Sequence, residues 1–158
     1  MKVEVKQLAA MTFVGTVGIT EQVQSQDICR LWDEFTANRN ITNRLGEADY
    51  ELHIFDPSDP PRHICLTGTA VSKVEDLPLN LFAKTIPAGK YAVFTLRMAD
   101  GGFPHAYQFM EKWLADQDYE SPDAAHHRFE VQVYDQRFEG LDNPESEIDF
   151  LIPLFKLT

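Results

Sequence analysis

The sequence predicts an α+β fold in which one strand-helix-strand-strand unit occurs twice. Three observations lead there. The order of strand-like and helix-like segments in the first half returns in the second. The helical motif LWDEF at 31–35 is answered by FMEKWL at 109–114, and the strand ELHIFD at 51–56 by EVQVYD at 130–135. Each half is too small to bury a large core by itself, so two of them side by side share one, and the groove between them becomes the natural ligand site. A chain of 158 residues suits a single domain of this kind over 1–158, with the first repeat at about 1–76 and the second at about 77–158.

The elements follow in order. Lys2 to Leu8 alternates apolar Val3 and Val5 with polar neighbours, a strand with one wet face. MTFVGTVGI at 11–19 is rich in β-formers, with Gly15 and Gly18 allowing a bulge or close backbone approach, so one long bent strand or two short ones are expected. In 26–39, Ile28, Leu31, Trp32 and Phe35 recur at helical spacing, with Ser25 or Asp27 as the N-cap. Asp49 to Asp56 alternates Tyr50, Leu52 and Ile54 against Glu51 and His53, and HICLTGTAV at 63–71 is its hairpin partner across a Pro-rich loop. Residues 72–81 form a polar connector.

In the second half Phe82 to Ile86 leads into Pro87-Ala88-Gly89, read as a tight turn. Lys90 to Met98 is a strand with Tyr91, Val93 and Thr95 on one face and Ala92, Phe94 and Leu96 on the other. Pro104 sits near the first turn of a helix over His105 to Asp116, whose stripe is Phe109, Trp113 and Tyr107 or Met110. After an irregular linker at 119–127 come the strand FEVQVYD at 129–135, an acidic loop, and a closing strand over Ile148 to Leu157.

Composition narrows the function. The net charge of -11 repels phosphate backbones, so direct nucleic-acid binding is not expected. The longest apolar run, Leu8 to Ile19, is too short for a membrane helix, and no signal peptide is legible, which makes the cytoplasm the default location. Cys29 and Cys65 lack metal or redox spacing and read as two small buried thiols. Metal ligands are not expected: no helix-borne histidine pair exists, and His53, His63, His105, His126 and His127 read best as surface residues. His53 and His63 could meet across the hairpin, and with Cys65 two residues from His63 a Cys-His site is the disfavoured alternative. Nucleophile and phosphate-loop motifs are absent, and no cofactor is expected.

Six ordered pieces resemble the GyrI-like, or bacterial transcription-factor effector-binding, domain: FVGTVG, ICRLWDEF, IPAGKYAVF, YQFMEKWL followed by DQDYE, FEVQVYD and EIDFLIPL. The resemblance spans nearly the whole chain. It implies antiparallel sheets in a pseudo-two-fold pair of β-α-β-β units, helices packed on one side, and a central cleft. Such domains occur as sensor halves behind a helix-turn-helix segment and as free-standing proteins. With nothing of that kind ahead of Met1, this chain reads as a free-standing copy.

The resemblance also implies the site. Pockets of this multidrug-sensor type hold lipophilic, often cationic, organic compounds between aromatic rings and a carboxylate, here Glu130. A low-dielectric cavity makes a carboxylate an effective partner for a cation, and aromatic faces add to the attraction. By alternation Glu130 shares its face with Gln132 and Tyr134, which fits either a solvated outer face or a polar cavity. Trp113, Trp32, Tyr91, Tyr134, Phe13, Tyr50 and Phe155 are the accompanying aromatic candidates, although core packing is the plainer reading for at least one tryptophan. Two alternatives stand beside binding. Some stand-alone relatives hydrolyse strained, cyclopropane-containing electrophiles, which would make Glu130 a catalytic acid or base; others resemble protein-interaction factors that act on a topoisomerase.

Overall fold

The computed structural model describes residues 1–20, 26–56, 58, 62–119 and 129–155. Its elements are β1 (Lys2–Leu8), β2 (Met11–Thr20), α1 (Gln26–Ala37), β3 (Arg44–Phe55), β4 (His63–Val71), β5 (Phe82–Ile86), β6 (Gly89–Arg97), a 3₁₀ turn (Met98–Asp100), α2 (Gly102–Asp116), β7 (Phe129–Tyr134) and β8 (Glu147–Pro153). The two halves are β2-α1-β3-β4 and β6-α2-β7-β8, with β1 and β5 as matching leader strands.

All strands join one antiparallel sheet in the order β1-β6-β8-β7-β3-β4-β2-β5. The order is symmetric about the β7–β3 seam, where Asp49 pairs with Tyr134 and Ile54 with Phe129. Only Ala9–Ala10 separates β1 from β2, yet six strand spacings lie between them in the sheet. In a flat sheet that is about 29 Å, whereas three Cα steps reach at most about 11 Å. The sheet therefore curls on itself. The pairing agrees: Leu8 pairs with Gly89 and Met11 with Ile86, one ladder interrupted by Ala9–Ala10 and Pro87–Ala88. Pro87-Ala88-Gly89 is thus a crossing between two ladders and not a hairpin turn. Local turn preference yields there to long-range pairing.

Curling, with the helices outside, gives the inner strands two buried faces, while β1 and β5 stay largely exposed. The inner face holds Phe13, Leu52, Leu66, Ile86, Tyr91, Val93, Phe129, Val131 and Leu151. On the outer face α2 covers Ala92, Phe94, Leu96, Ile148, Phe150 and Ile152 with Phe103, Ala106, Met110 and Leu114. Helix α1 covers Cys65 with Ile28 and Leu31. The stripe of α2 is rotated from the sequence reading: Tyr107, Phe109 and Trp113 are only half-buried at its margins. The strands are tightly apposed where Gly15 faces Gly68; a Cβ on Gly68 would stand 2.2 Å from the Val14 carbonyl oxygen.

Several boundaries differ from the sequence reading. β3 starts at Arg44, with an irregular register between Arg44 and Asp49. α2 starts at Gly102 after Gly101, whose φ of 106° places it in the left-handed region that glycine tolerates. Pro104 falls in the first turn of that helix, where no intrahelical N–H is required. β8 ends at Pro153. The cap expected at Ser25, and the linker from 120 onward, lie outside the described residues. Among the described residues no helix is long and apolar enough to cross a membrane.

Candidate functional site

The seam between β3 and β7 carries polar residues on its helix-bearing face. Directly opposed side chains in an antiparallel pair leave the same face. Glu51 faces Gln132, and His53 faces Glu130. All four are buried, Glu51 at 4% exposure, Glu130 at 1% and His53 at 0%. Their apolar neighbours Tyr50, Leu52, Ile54, Val131 and Val133 point the other way, into the inner core.

Each carboxylate is held by an aromatic donor from the helix of its own half. Trp32 Nε1 of α1 donates to Glu51 Oε1. Tyr107 of α2 donates its hydroxyl to Glu130 Oε1 at 2.7 Å. Gln132 Nε2 donates to the same Glu130 oxygen at 3.0 Å, and the Tyr134 hydroxyl donates to Gln132 Oε1 at 2.7 Å. His53 Nε2 lies 2.9 Å from Glu51 Oε2. Burial, with the charge of Glu130 beside it, pushes the Tyr107 phenol well above its usual range. Burial and the charge of Glu51 do the same to Tyr134. The Cys65 thiol is driven up by burial, with Glu51 adding to the effect.

A cavity of about 750 Å³ opens over the Glu51 side of this seam. One wall is α1, through Ile28, Cys29, Trp32 and Thr36; the other is Phe103, Phe138 and Leu141; Asp49, Glu51, Gln132 and Tyr134 form the floor. Trp32 meets Tyr134 edge to face with ring centroids 5.2 Å apart, and Tyr134 meets Phe138 likewise at 4.9 Å. This is an aromatic corner built on hydrogen-bonded, half-buried rings. Of the other carboxylates lining the cavity, Glu47 is exposed to solvent and two are neutralised by arginine. Asp49 is paired with Arg39 and, at 3.0 Å, with Arg44. Asp135 is paired with Arg137 at 2.8 Å, whose hydrogen bonds hold its carboxyl below the usual carboxylate range. Among the described residues Glu51 has no lysine or arginine partner; its ion-pair contact is His53.

The structure separates the residues singled out from sequence. Trp32 and Tyr134 line the cavity. Glu130 lies behind it, linked to the floor through Gln132. Tyr91, Phe13 and Tyr50 are in the inner core on the opposite face, with Tyr91 donating its hydroxyl to the Pro87 carbonyl at 2.7 Å and Phe13 packing on Tyr50 at 5.0 Å. Trp113 packs edge-on against Phe94 at 5.3 Å and stacks on Tyr119, away from the cavity lining. Phe155 follows β8, half-buried, and is not among the lining residues. Two expectations are overturned. His53 and His63 are buried, with ring centroids 5.0 Å apart, because α1 covers a strand face that alternation alone would leave in water. Cys29 is exposed on the cavity wall, and only Cys65 is buried.

Sequence reasoning missed Glu51, Tyr107, Phe103 and Phe138. The signal for Glu51 was present: it holds in ELHIFD the place that Glu130 holds in EVQVYD.

Comparison with known proteins agrees with this architecture. Residues 4–154 match the family model described as Cass2, integron-associated effector binding protein. The transcriptional regulator BrlR of Pseudomonas aeruginosa is 26% identical over 130 residues, covering 81% of this chain and 46% of the regulator, so the chain spans about half the length of that relative. The structure of SAV2435 bound to tetraphenylphosphonium superposes with a TM-score of 0.69 at 16% identity, covering 98% of this chain and 94% of that one. A hydrolase encoded by lin2189 from Listeria innocua superposes with a TM-score of 0.61 at 12% identity, covering 98% and 92%. Duplicated units, helices on one face, a polar seam and a match over nearly the full length make the same point: the chain belongs to the Cass2 family of integron-associated effector binding proteins.

Proposed function

We propose that the chain binds a lipophilic organic cation in the cavity beside α1, with Glu51 as the counter-charge and Trp32, Tyr134, Phe103 and Phe138 as the enclosing rings. One observation carries this reading. Glu51 is a buried carboxylate on an aromatic wall, held by the indole N–H and a histidine and by no lysine or arginine among the described residues. Arg39, which also lines the cavity, is paired with Asp49, so a cation with an apolar shell gains both charge and ring contact beside Glu51. The cavity volume falls within the range of about 300–1,000 Å³ that accommodates drug-sized ligands. That SAV2435 binds tetraphenylphosphonium on the same fold supports the ligand class.

The test separates charge from shape. Tetraphenylphosphonium and tetraphenylborate are near-isosteric and opposite in sign. Calorimetric titration of the purified chain is expected to show binding of the cation and at least tenfold weaker binding of the anion. Equal affinities would remove Glu51 from the account.

A second reading rests on Glu130. A deeply buried carboxylate hydrogen-bonded to a tyrosine is a general acid or base in waiting, and a protein of the same fold is described as a hydrolase. Turnover of a strained electrophile that disappears in Glu130→Gln would favour this reading. Binding without loss of compound would favour the first.

A further inference from the structure

We propose that Glu51, His53 and Cys65 form a site for one divalent transition-metal ion of the zinc class. Strand pairing builds it. His53 and Cys65 are direct partners across β3 and β4, and Glu51 precedes His53 by two residues, so all three side chains leave one face of the sheet. All three are buried, and one donor atom from each lies within 4.8 Å of the others. A second, independent observation points to a ligand. His53 is fully buried, its Nε2 lies against Glu51, and among the described residues its Nδ1 has no hydrogen-bond partner. A buried imidazole using one of its two nitrogens is below its bonding capacity, and native interiors rarely leave such groups unused.

The donor set selects the ion. Carboxylate oxygen, imidazole nitrogen and thiolate sulfur suit zinc and its neighbours, and they do not suit magnesium or calcium, which take oxygen ligands. Charge selects it too. One carboxylate and one thiolate balance a dication, so the loaded site is neutral in surroundings where an uncompensated charge is costly, and the metal competes with an organic cation for the charge of Glu51. On binding, the Cys65 thiol gives up its proton to solvent, the sulfur keeps the electron pair and donates it to the metal, and nothing is oxidised or reduced. Three protein ligands leave a fourth position. His63 stands beside the set, its ring centroid 5.0 Å from that of His53, and Glu130 is the direct partner of His53 on β7.

Cobalt(II) gives the readout, because a cobalt–thiolate bond produces an intense near-ultraviolet charge-transfer band that carboxylate and imidazole ligands do not. The reduced full chain, stripped with a chelator and exchanged into metal-free buffer, is titrated with Co²⁺ and then with Zn²⁺. The expected result is one Co²⁺ per chain with the thiolate band, displacement by Zn²⁺, and a higher Tm with Zn²⁺. Cys29→Ser keeps the band; Cys65→Ser and His53→Gln lose it. Substitutions in this buried seam can unfold the chain, so the wild-type protein and Cys29→Ser, which is altered only at an exposed position, decide the matter alone. Absence of the band in the folded wild type overturns the proposal. So does its disappearance in Cys29→Ser, or its survival in Cys65→Ser.

Discussion

Replacing Glu51 with Gln removes a charge and almost no volume. The Gln carbonyl still accepts the Trp32 N–H, so the cavity wall keeps its shape. A cation centred about 5–6 Å from the carboxylate, at an effective dielectric of about 20, is held by about 3 kcal/mol. The amide dipole retains part of that, so the expected loss is about 1.5–3 kcal/mol, or roughly ten- to a hundredfold in Kd for tetraphenylphosphonium. Glu130→Gln acts from behind Gln132 and Tyr107. At about 10 Å the same relation gives at most about 1.7 kcal/mol, and the expected loss is below about tenfold. Isothermal titration of both variants with tetraphenylphosphonium and tetraphenylborate at one ionic strength measures the difference, with thermal melts confirming that each variant is folded. The cation should weaken in the order wild type, Glu130→Gln, Glu51→Gln, while the borate should weaken in neither variant. If Glu51→Gln binds the cation within twofold of wild type while Glu130→Gln loses tenfold or more, Glu130 is the counter-charge and the geometric argument fails. Equal losses for both ions would mean that the substitution damaged the shape of the cavity.

Trp32 lines the cavity and Trp113 does not, so ligand-induced change in tryptophan emission should vanish in Trp32→Phe and persist in Trp113→Phe; the reverse would seat the ligand against α2. Alkaline stability should also depend on the seam. Tyr107 and Tyr134 have phenols held neutral in the fold, so their contribution is fully present below pH about 10, the unfolded value, and is lost as pH rises through the higher folded values. The Tm of the wild type should therefore fall more steeply above pH about 10 than that of Tyr134→Phe, and parallel curves would contradict the burial argument. Gly68→Ala places a methyl 2.2 Å from the Val14 carbonyl oxygen and 2.8 Å from the Gly15 Cα, backbone atoms that cannot rotate away. A loss of about 3 kcal/mol or more in urea unfolding is expected, and a loss under about 1 kcal/mol would show that the two strands separate easily there.

The duplicated plan was legible because it rests on local periodicity. Ile28, Leu31 and Phe35 at helical spacing are buried as the stripe requires, and the alternation in 129–134 places Glu130 with Gln132 and Tyr134 on one face, as found. What lay beyond the sequence was depth on each side of the sheet. Alternation marks His53 and Glu51 as polar-face residues, but a curled sheet under helices has no wet face at that position. Tyr91, Phe13 and Tyr50 carry the same aromatic signal as Tyr134, and only the curl tells which ring fills the inner core and which meets the cavity. The bend at Pro87–Ala88 has the composition of a turn; its role as a crossing follows from β5 and β6 pairing with different strands, a relation no short window contains.

Duplication explains why the seam is polar, and divergence explains why the cavity described lies on the Glu51 side. The two-fold relation sets Glu51 against Glu130 and His53 against Gln132, since each glutamate faces the other half's second residue across the ladder. Each helix then supplies one aromatic donor, an indole in α1 and a phenol in α2. The halves part at the next layer. Gln132 spends its amide inside the seam, donating to Glu130 and accepting from Tyr134, which closes the second half around its own carboxylate. Among the described residues only one of the two His53 nitrogens is hydrogen-bonded, so the first half keeps bonding capacity where Cys65 and Glu51 converge. The loop after β7 adds Phe138 and Leu141 to the cavity wall. A symmetric pair of buried acids is thereby resolved into one that supports the floor and one that faces a ligand-sized space.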